Sequence, residues 1–314
     1  MNLSVTADVL LAADMCVDLL LSGNVRPLFH QAEQLIGGYQ LELGGSANIF
    51  ASQLAKLGAR VGVIGTLGAD CLGEFALMRL HELGVGTGRV RVDPAVRTGL
   101  GVALIEADDR AILTYPGSLA AVGPELFPEV LAGACRHWHV ASYFLLARLK
   151  PIWPDWLVRC RAAGITTSLD PNWDPENRWS GIRDLLPTLD VFLPNEAEAL
   201  AIVGCLDARE AALALCSAGP TVVVKRGARG IIAAQQGRVW REPALAPVGP
   251  VVDSVGAGDN FDAGFMCGWL SGWDLPDCLD LGQRCAVASL TRSGGIEGQV
   301  RDTIFRNVFS AGEA

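Results

Sequence analysis

The sequence predicts an α/β protein in which a mostly parallel sheet is covered by helices on both faces and carries a small β-sheet lid. Three observations predict it. Apolar strand-like runs alternate with stretches of helical periodicity through most of the chain, the pattern of successive strand–helix units. A β-hairpin between Gly99 and Tyr115 interrupts that series, as an attached β element would. Half of the 314 residues are apolar, enough to bury a full core in one large α/β unit or one with an appendage.

The elements follow in order. Thr6 to Ala13 reads as a buried first strand ending at Asp14. Residues 20–43 are irregular, with Gly23, Pro27 and Gly37-Gly38, and have room for short strands of a side element. Gly44-Gly45 precedes a helix from Ala47 to Leu57, closed by Gly58. A strand from Arg60 to Thr66 and a helix from Phe75 to Leu83 come next. In the hairpin, Ala107-Asp108-Asp109-Arg110 forms the turn. Residues 19–43 and 96–118 together are expected to form the lid, inserted in a single domain spanning 1–314.

Alternation then resumes, with strands His137–Ala141, Thr166–Asp170, Val191–Pro194 and Val222–Lys225. Helices are expected at 152–163, Glu196–Val203 and Ala208–Ser217. A second hairpin, Gly230 to Arg241, leads to an extended strand end at Pro250-Val251-Val252. A helix opens at Ala257, carrying Phe261, Phe265 and Trp269 at spacings of four, and a last helix spans 277–292.

Composition removes several classes of function. A net charge of −9 without basic clusters argues against a nucleic-acid surface. Only Lys56, Lys150 and Lys225 are lysines, which makes Lys225 conspicuous. Nine scattered cysteines without a CxxC pair read as core residues of a reduced, cytoplasmic protein. His137-x-His139 reads as two strand residues, not metal ligands. Asp8, Asp14 and Asp18 interrupt the apolar N-terminus and no basic region precedes it, so neither a signal peptide nor a membrane span is expected.

Asp253-Ser-Val-Gly-Ala-Gly-Asp259 carries the most chemistry. Two glycines one residue apart permit a tight turn and close backbone approach. Where that turn opens a helix, unpaired N–H groups and the positive end of the helix dipole converge on one spot suited to a phosphate. Asp259 in the first turn could take a proton from a substrate hydroxyl. The bland reading is a turn followed by a helix-capping acid. A dinucleotide fingerprint would need a third glycine where Phe261 stands, and no Walker lysine follows a glycine loop. In doubly covered sheets ligands bind beyond the carboxyl ends of the strands. There lie Asp14 with Asp18, Asp170 with Asn172, Asn195 with Glu198, and Asp253 to Asp259. Asn195 could equally be an N-cap.

These residues resemble the ribokinase-like (PfkB) carbohydrate kinase family through nearly the whole chain. The C-terminal signature is Asp253-Ser-Val-Gly-Ala-Gly-Asp259-Asn-Phe-Asp-Ala-Gly-Phe265. Supporting it are Gly44-Gly45, Gly65-Thr-Leu-Gly68-Ala-Asp70-x-x-Gly73, Asn195-x-x-Glu198, Asp170-Pro-Asn-Trp and Val224-Lys-Arg-Gly227-Ala-Arg-Gly230. The resemblance implies a Rossmann-like core with a β lid, and transfer of the ATP γ-phosphoryl group to a sugar or nucleoside hydroxyl. It implies Asp259 as base and the N–H groups of Gly256, Ala257 and Gly258 as anion hole. Asn195 and Glu198 would act on Mg²⁺ largely through water. Asn195, Lys225, Gly227, Gly230 and Ser254 would line the nucleotide pocket. Asp14, Asp18, Gly44, Gly45, Asn48 and Asp170 would line the acceptor pocket. K⁺ near Asp253 is implied as in several relatives.

Departures cluster at the acceptor end. Gly44-Gly45-Ser-Ala-Asn48 is one residue shorter than the usual signature, Ala13 stands where glycine is commoner, and Cys16 replaces a frequent asparagine. Kinase chemistry is therefore better supported than any particular acceptor. Two other classes remain in view: a sugar-binding regulatory protein that kept the fold, and a dehydrogenase, weakened by the missing fingerprint. A nucleoside kinase of the same fold is the nearer alternative. An exposed β lid is an unpaired sheet edge, so a homodimer through the lid is expected.

Overall fold

The computed structural model describes residues 7–106, 110–247 and 249–305. Its first strand is β1 (Val9–Ala12), buried throughout. Alternation along it sets the layers: Val9 and Leu11 enter one core, Leu10 and Ala12 a second on the opposite face.

From β1 the chain leaves for a separate sheet, as β2 (Cys16–Ser22) and its antiparallel partner β3 (Gly38–Gly44). It returns through α1 (Ser46–Lys56) to β4 (Val61–Gly68), parallel to β1. Next come α2 (Cys71–Glu82) and an edge strand, β5 (Gly86–Asp93). Then β6 (Gly99–Ile105) and β7 (Arg110–Tyr115) rejoin the small sheet, where β6 lies parallel to β2. That sheet has the order β3-β2-β6-β7 and starts at Cys16, three residues ahead of the expected segment. The expected turn at 107–109 lies outside the described residues.

The main sheet continues on the other side of β1. Strand β8 (His137–Val140) is followed by α3 (Trp153–Ala162), β9 (Thr166–Leu169) and the short α4 (Ile182–Leu185). Next are β10 (Val191–Phe192), α5 (Glu196–Val203), α6 (Ala208–Cys216) and β11 (Thr221–Lys225). The antiparallel β12 (Ile231–Gln235) and β13 (Arg238–Glu242) finish the nine-stranded sheet, order β13-β12-β11-β10-β9-β8-β1-β4-β5. The chain ends with α7 (Ala257–Leu270) and α8 (Leu275–Ser289). Phe50, Phe265 and Leu279 bring α1, α7 and α8 onto one face. Trp153, Ile202 and Leu215 bring α3, α5 and α6 onto the other. Each such buried side chain contributes about 1.5–3 kcal/mol.

Three expectations need correction. Pro250-Val251-Val252 forms no strand: Val251 and Val252 are exposed, and the Val252 N–H donates to the Leu290 carbonyl, not to a sheet. Helix α2 starts at Cys71, not Phe75, because the Asp70 carboxylate accepts the Gly73 N–H at 2.9 Å and caps it. The last helix runs two or three residues earlier than expected, since Asp274 caps it through the Asp277 N–H.

Strand order reverses at β1, whose neighbours β4 and β8 are reached by chain excursions in opposite directions. A crevice therefore opens beyond the carboxyl ends of the strands. Asp14 follows β1, Ser142 follows β8, Asp170 follows β9, and Asn195 and Lys225 pair as a bridge beyond β10 and β11.

Candidate active site

A cavity of about 990 Å³ fills this crevice and reaches the small sheet. Its floor is the start of α7. Gly256 caps the helix at φ +69°, and a Cβ there would meet the Gly295 Cα and Ile49 Cδ1 at 2.9 Å, so only glycine fits. The first intrahelical bond runs from the Asn260 N–H to the Gly256 carbonyl. The N–H groups of Gly258 and Asp259 thus precede the first intrahelical donor, and the helix dipole adds partial positive charge there. Asn260 locks the turn, its Nδ2 donating to the Gly256 and Gly295 carbonyls, each at 2.8 Å.

Asp259 is half-buried in the first turn and bonds the Ser46 side chain. Burial pushes its carboxyl well above the usual range, nearby Asp170 adds to this, and Lys225 opposes it. A carboxyl that holds its proton tightly is a stronger base once ionised.

Lys225 closes a buried charge cluster. Its Nζ lies 3.0 Å from Asp170 Oδ2 and 2.7 Å from Asp262 Oδ2. Burial raises Asp262 well above the carboxylate range, with Lys225 opposing and Asp170 adding to the rise. Asp170, despite its burial, is held below that range by Lys225. The opposite shifts leave Asp170 the more acidic of the two carboxyls. The lysine serves two carboxyls under the glycine turn, where a Cβ on Gly258 would stand 3.6 Å from Nζ.

Asn195 and Glu198 do make a capping box on α5. Asn195 Oδ1 accepts the Glu198 N–H at 2.9 Å, and Glu198 Oε2 accepts the Asn195 N–H at 2.8 Å. Burial, then Asp170, lifts the Glu198 carboxyl to about 7. Both residues still line the cavity.

Towards the small sheet, Asp14 caps α1 from a distance. Its carboxylate accepts the Ser46 and Ala47 N–H groups at 3.1 and 3.0 Å and the Ser142 hydroxyl at 2.6 Å. Asn172 ties the network together, accepting the Ser142 N–H and donating to Ser46 Oγ. Ser142 and Asn172 hold left-handed backbone, φ +52° and +54°, a conformation that costs a non-glycine residue energy and is held by its surroundings.

Of the residues expected in the site, Asp14, Asp18, Gly45 and Asp170 line the cavity, as do Asn195, Glu198, Lys225, Gly227 and Gly230. Ser254 and the stretch Gly256 to Asp259 line it too. Gly44, Asn48 and Asp253 do not line it. Asn48 is fully buried with its Nδ2 donating to the Gly44 carbonyl. Asp253 accepts the Val255 and Gly294 N–H groups, each at 2.9 Å. His137 and His139 share Ser168 Oγ at 2.7 Å inside the core. Burial pushes both imidazoles down, His139 to about 3, so they stay neutral.

Sequence reasoning missed Asp262, Ser46 and Ser142 as members of the site. The available signal was Asp262, one helical turn beyond Asp259, with a conspicuous lysine elsewhere in need of a partner. The apolar wall of Leu245, Val287 and Leu290 was also missed.

With this geometry in view, comparison with known proteins places the chain. Residues 15–302 match the pfkB family carbohydrate kinase, and the protein belongs to that family. Among its relatives, an ATP-dependent ribose-1-phosphate kinase of Halopiger xanaduensis is 29% identical over 83% of this chain and 84% of its own. A fructoselysine 6-kinase of Shigella flexneri is 31% identical over 80% of this chain and 90% of its own. A solved structure from E. coli, described as a Ribokinase II in complex with ATP and Mg²⁺, superposes with a TM-score of 0.83 at 22% identity. It covers 97% of this chain and 99% of that one, which fixes the fold as ribokinase-like.

Proposed function

We propose that this carbohydrate kinase transfers the γ-phosphoryl group of ATP to a hydroxyl of a sugar or sugar derivative, with Asp259 as the base. One observation carries the reading: Asp259 stands in the same helical turn as the free N–H groups of α7, in one cavity joining an apolar cleft to the small sheet. The acceptor oxygen forms its bond to phosphorus as the bond to the ADP oxygen breaks, and the acceptor proton passes to Asp259. The N–H groups of Gly256 to Gly258 face the charge on the transferred group, one such donor being worth on the order of 3 kcal/mol.

The donor set suits a hard cation, Glu198 and Asn195 offering oxygens whose occupied hydrogen bonds favour contact through water. Mg²⁺ bound there would neutralise phosphate charge. Lys225, Gly227, Gly230 and Ser254 would border the nucleotide, with Leu245, Val287 and Leu290 against its base. Asp253 and the 289–294 segment would take K⁺. The four-stranded sheet would act as a lid, excluding water from the transfer, on a single domain. Exposed Tyr39, Ile112, Leu113 and Tyr115 on its edge strands suit a homodimer through that lid. All nine cysteines are free, in keeping with a reduced cytoplasmic setting. Among the described residues no helix is long and apolar enough to cross a membrane.

Acceptor-dependent release of ADP tests the reading, and its absence across a broad acceptor panel would contradict it. Sedimentation at micromolar concentration tests the dimer, which a monomeric mass would refute.

A further inference from the structure

Helix α7 carries two acids near its start. Asp259 and Asp262 stand three residues apart, a spacing that stacks side chains one turn above the other on one face. Asp259 lines the cavity, whereas Asp262 is 1% exposed and does not.

Charge balance alone does not require Asp262. One ammonium, that of Lys225, meets two buried carboxyls, and Asp170 already answers its charge at 3.0 Å. A second buried carboxyl costs free energy that an apolar side chain would not, and buried ion clusters are weak sources of stability. What Asp262 adds is direction. Lys225 ends β11 and Asp170 follows β9, with β10 between those strands. A lysine paired with Asp170 alone would lie across the strand ends. The 2.7 Å contact with Asp262 draws Nζ to the first turns of α7 instead. There a Cβ on Gly258 would stand 3.6 Å from it. Gly258 directly precedes Asp259, which puts the charge beside the base and away from the apolar cleft of Leu245, Val287 and Leu290.

The charge is also a fixed one. Burial works against the ammonium, but Asp170, Asp262 and Glu198 outweigh it and hold Lys225 above the ordinary lysine range. Its side chain, 12% exposed, lines the cavity.

Resting on the kinase reading, we infer that Asp262 is a positioning residue for phosphoryl transfer. It holds the Lys225 ammonium against the glycine turn, where the charge bears on the transferred group during transfer more than on bound ATP. In that step the acceptor oxygen bonds phosphorus, the bond to the ADP oxygen breaks, and the acceptor proton passes to Asp259. Lys225 gives up no proton and acts through its charge alone. Negative charge spread over the equatorial oxygens of the moving group is what a preorganised cation stabilises.

The test reads two ligands on the full-length protein with Mg²⁺. A non-hydrolysable ATP analogue reports the ground state, and ADP with aluminium fluoride is a planar stand-in for the transferred group. Asp262→Leu keeps the Lys225–Asp170 pair and removes only the tether. It should weaken the aluminium fluoride complex at least about tenfold and leave the ATP analogue within about threefold. The unfolding temperature should be unchanged or higher. With an acceptor, kcat should fall at least about tenfold while KM for ATP stays within about threefold. In a Lys225→Met background, Asp262→Leu should lower neither kcat nor aluminium fluoride affinity further, because it acts through the lysine. The single variant decides the matter where Lys225→Met fails to fold. Equal loss for both ligands, no loss for either, or full additivity with Lys225→Met would overturn the inference. So would a lower unfolding temperature with unchanged kcat, the mark of a purely structural cluster. ADP release with no acceptor of the panel, while Asp262→Leu still separates the two ligands, would contradict the kinase reading alone. An active kinase whose Asp262→Leu variant keeps the parental kcat would contradict the inference alone. A parent that binds neither ligand would contradict both.

Discussion

Where α7 begins, Lys225 sits between the carboxyls of Asp170 and Asp262, whereas beside the small sheet Asp14 and Asp18 share the cavity wall with apolar side chains and one thiol. The first arrangement suits triphosphate chemistry, in which negative charge is brought in and shifted during transfer. The second suits a ligand that brings hydroxyls. On the proposed reading, transfer chemistry and acceptor choice are carried by different elements: the loops after β9 to β11 and the start of α7 on one side, the small sheet on the other.

The comparison can be broken at its strongest point first. Asp259→Asn should lower kcat by about 10²–10⁴-fold while leaving the unfolding temperature unchanged or higher, because a neutral amide replaces a carboxyl whose ionisation burial disfavours. A variant that retained turnover would remove Asp259 from its role. Lys225→Met leaves buried Asp170 without its cation and should cost about 3–5 kcal/mol in denaturant unfolding. Combining it with Asp262→Leu should recover part of that loss; an uncorrelated double variant would show that the cluster is not one unit.

Effects at the acceptor end are smaller. Asp14→Ala strips α1 of its remote cap and should cost about 1–3 kcal/mol, measured by the same unfolding experiment. Asp18 is raised to about 6 by burial first and then by Asp14, while the Cys16 thiol opposes and Glu42 adds to the rise. Two pH effects follow with definite sign. Acceptor affinity should weaken as pH falls below about 6, where Asp18 takes up a proton, and Asp18→Asn should flatten that dependence. Because the folded value lies above the ordinary 3.8, stability tied to this group is fully present below pH 3.8 and is lost as pH rises through about 6. Asp18→Asn should therefore be more stable than the parent at pH 8 and equal to it at pH 4. A constant difference across that range would contradict the assigned protonation.

Much of the fold was legible because burial writes a clear pattern. Val191-Phe192 and Val222-Val223-Val224 are buried on both faces and read as continuous apolar runs. Strand β5 was not legible: Gly86-Thr-Gly-Arg-Val-Arg-Val-Asp93 is an edge strand with arginines on its wet side, and charge there masks the signal. Pro250-Val251-Val252 misled in the opposite way, an apolar triplet that lies exposed beside the cavity. In the site, the glycine turn and Asp259 were legible because their local chemistry is complete in seven residues. The partnership of Lys225 with Asp262 was not, since 37 positions separate them and only the packing of β11 against the start of α7 joins them. Asn195 shows the reverse, a residue whose capping role was foreseen and which lines the cavity as well.

The most direct test of the central claim is ADP release from Mg-ATP across sugars, sugar acids and nucleosides, with Asp259→Asn as control. The account predicts ADP release that depends on an acceptor and that the variant lacks. Release that needs no acceptor, or that survives in Asp259→Asn, would contradict it.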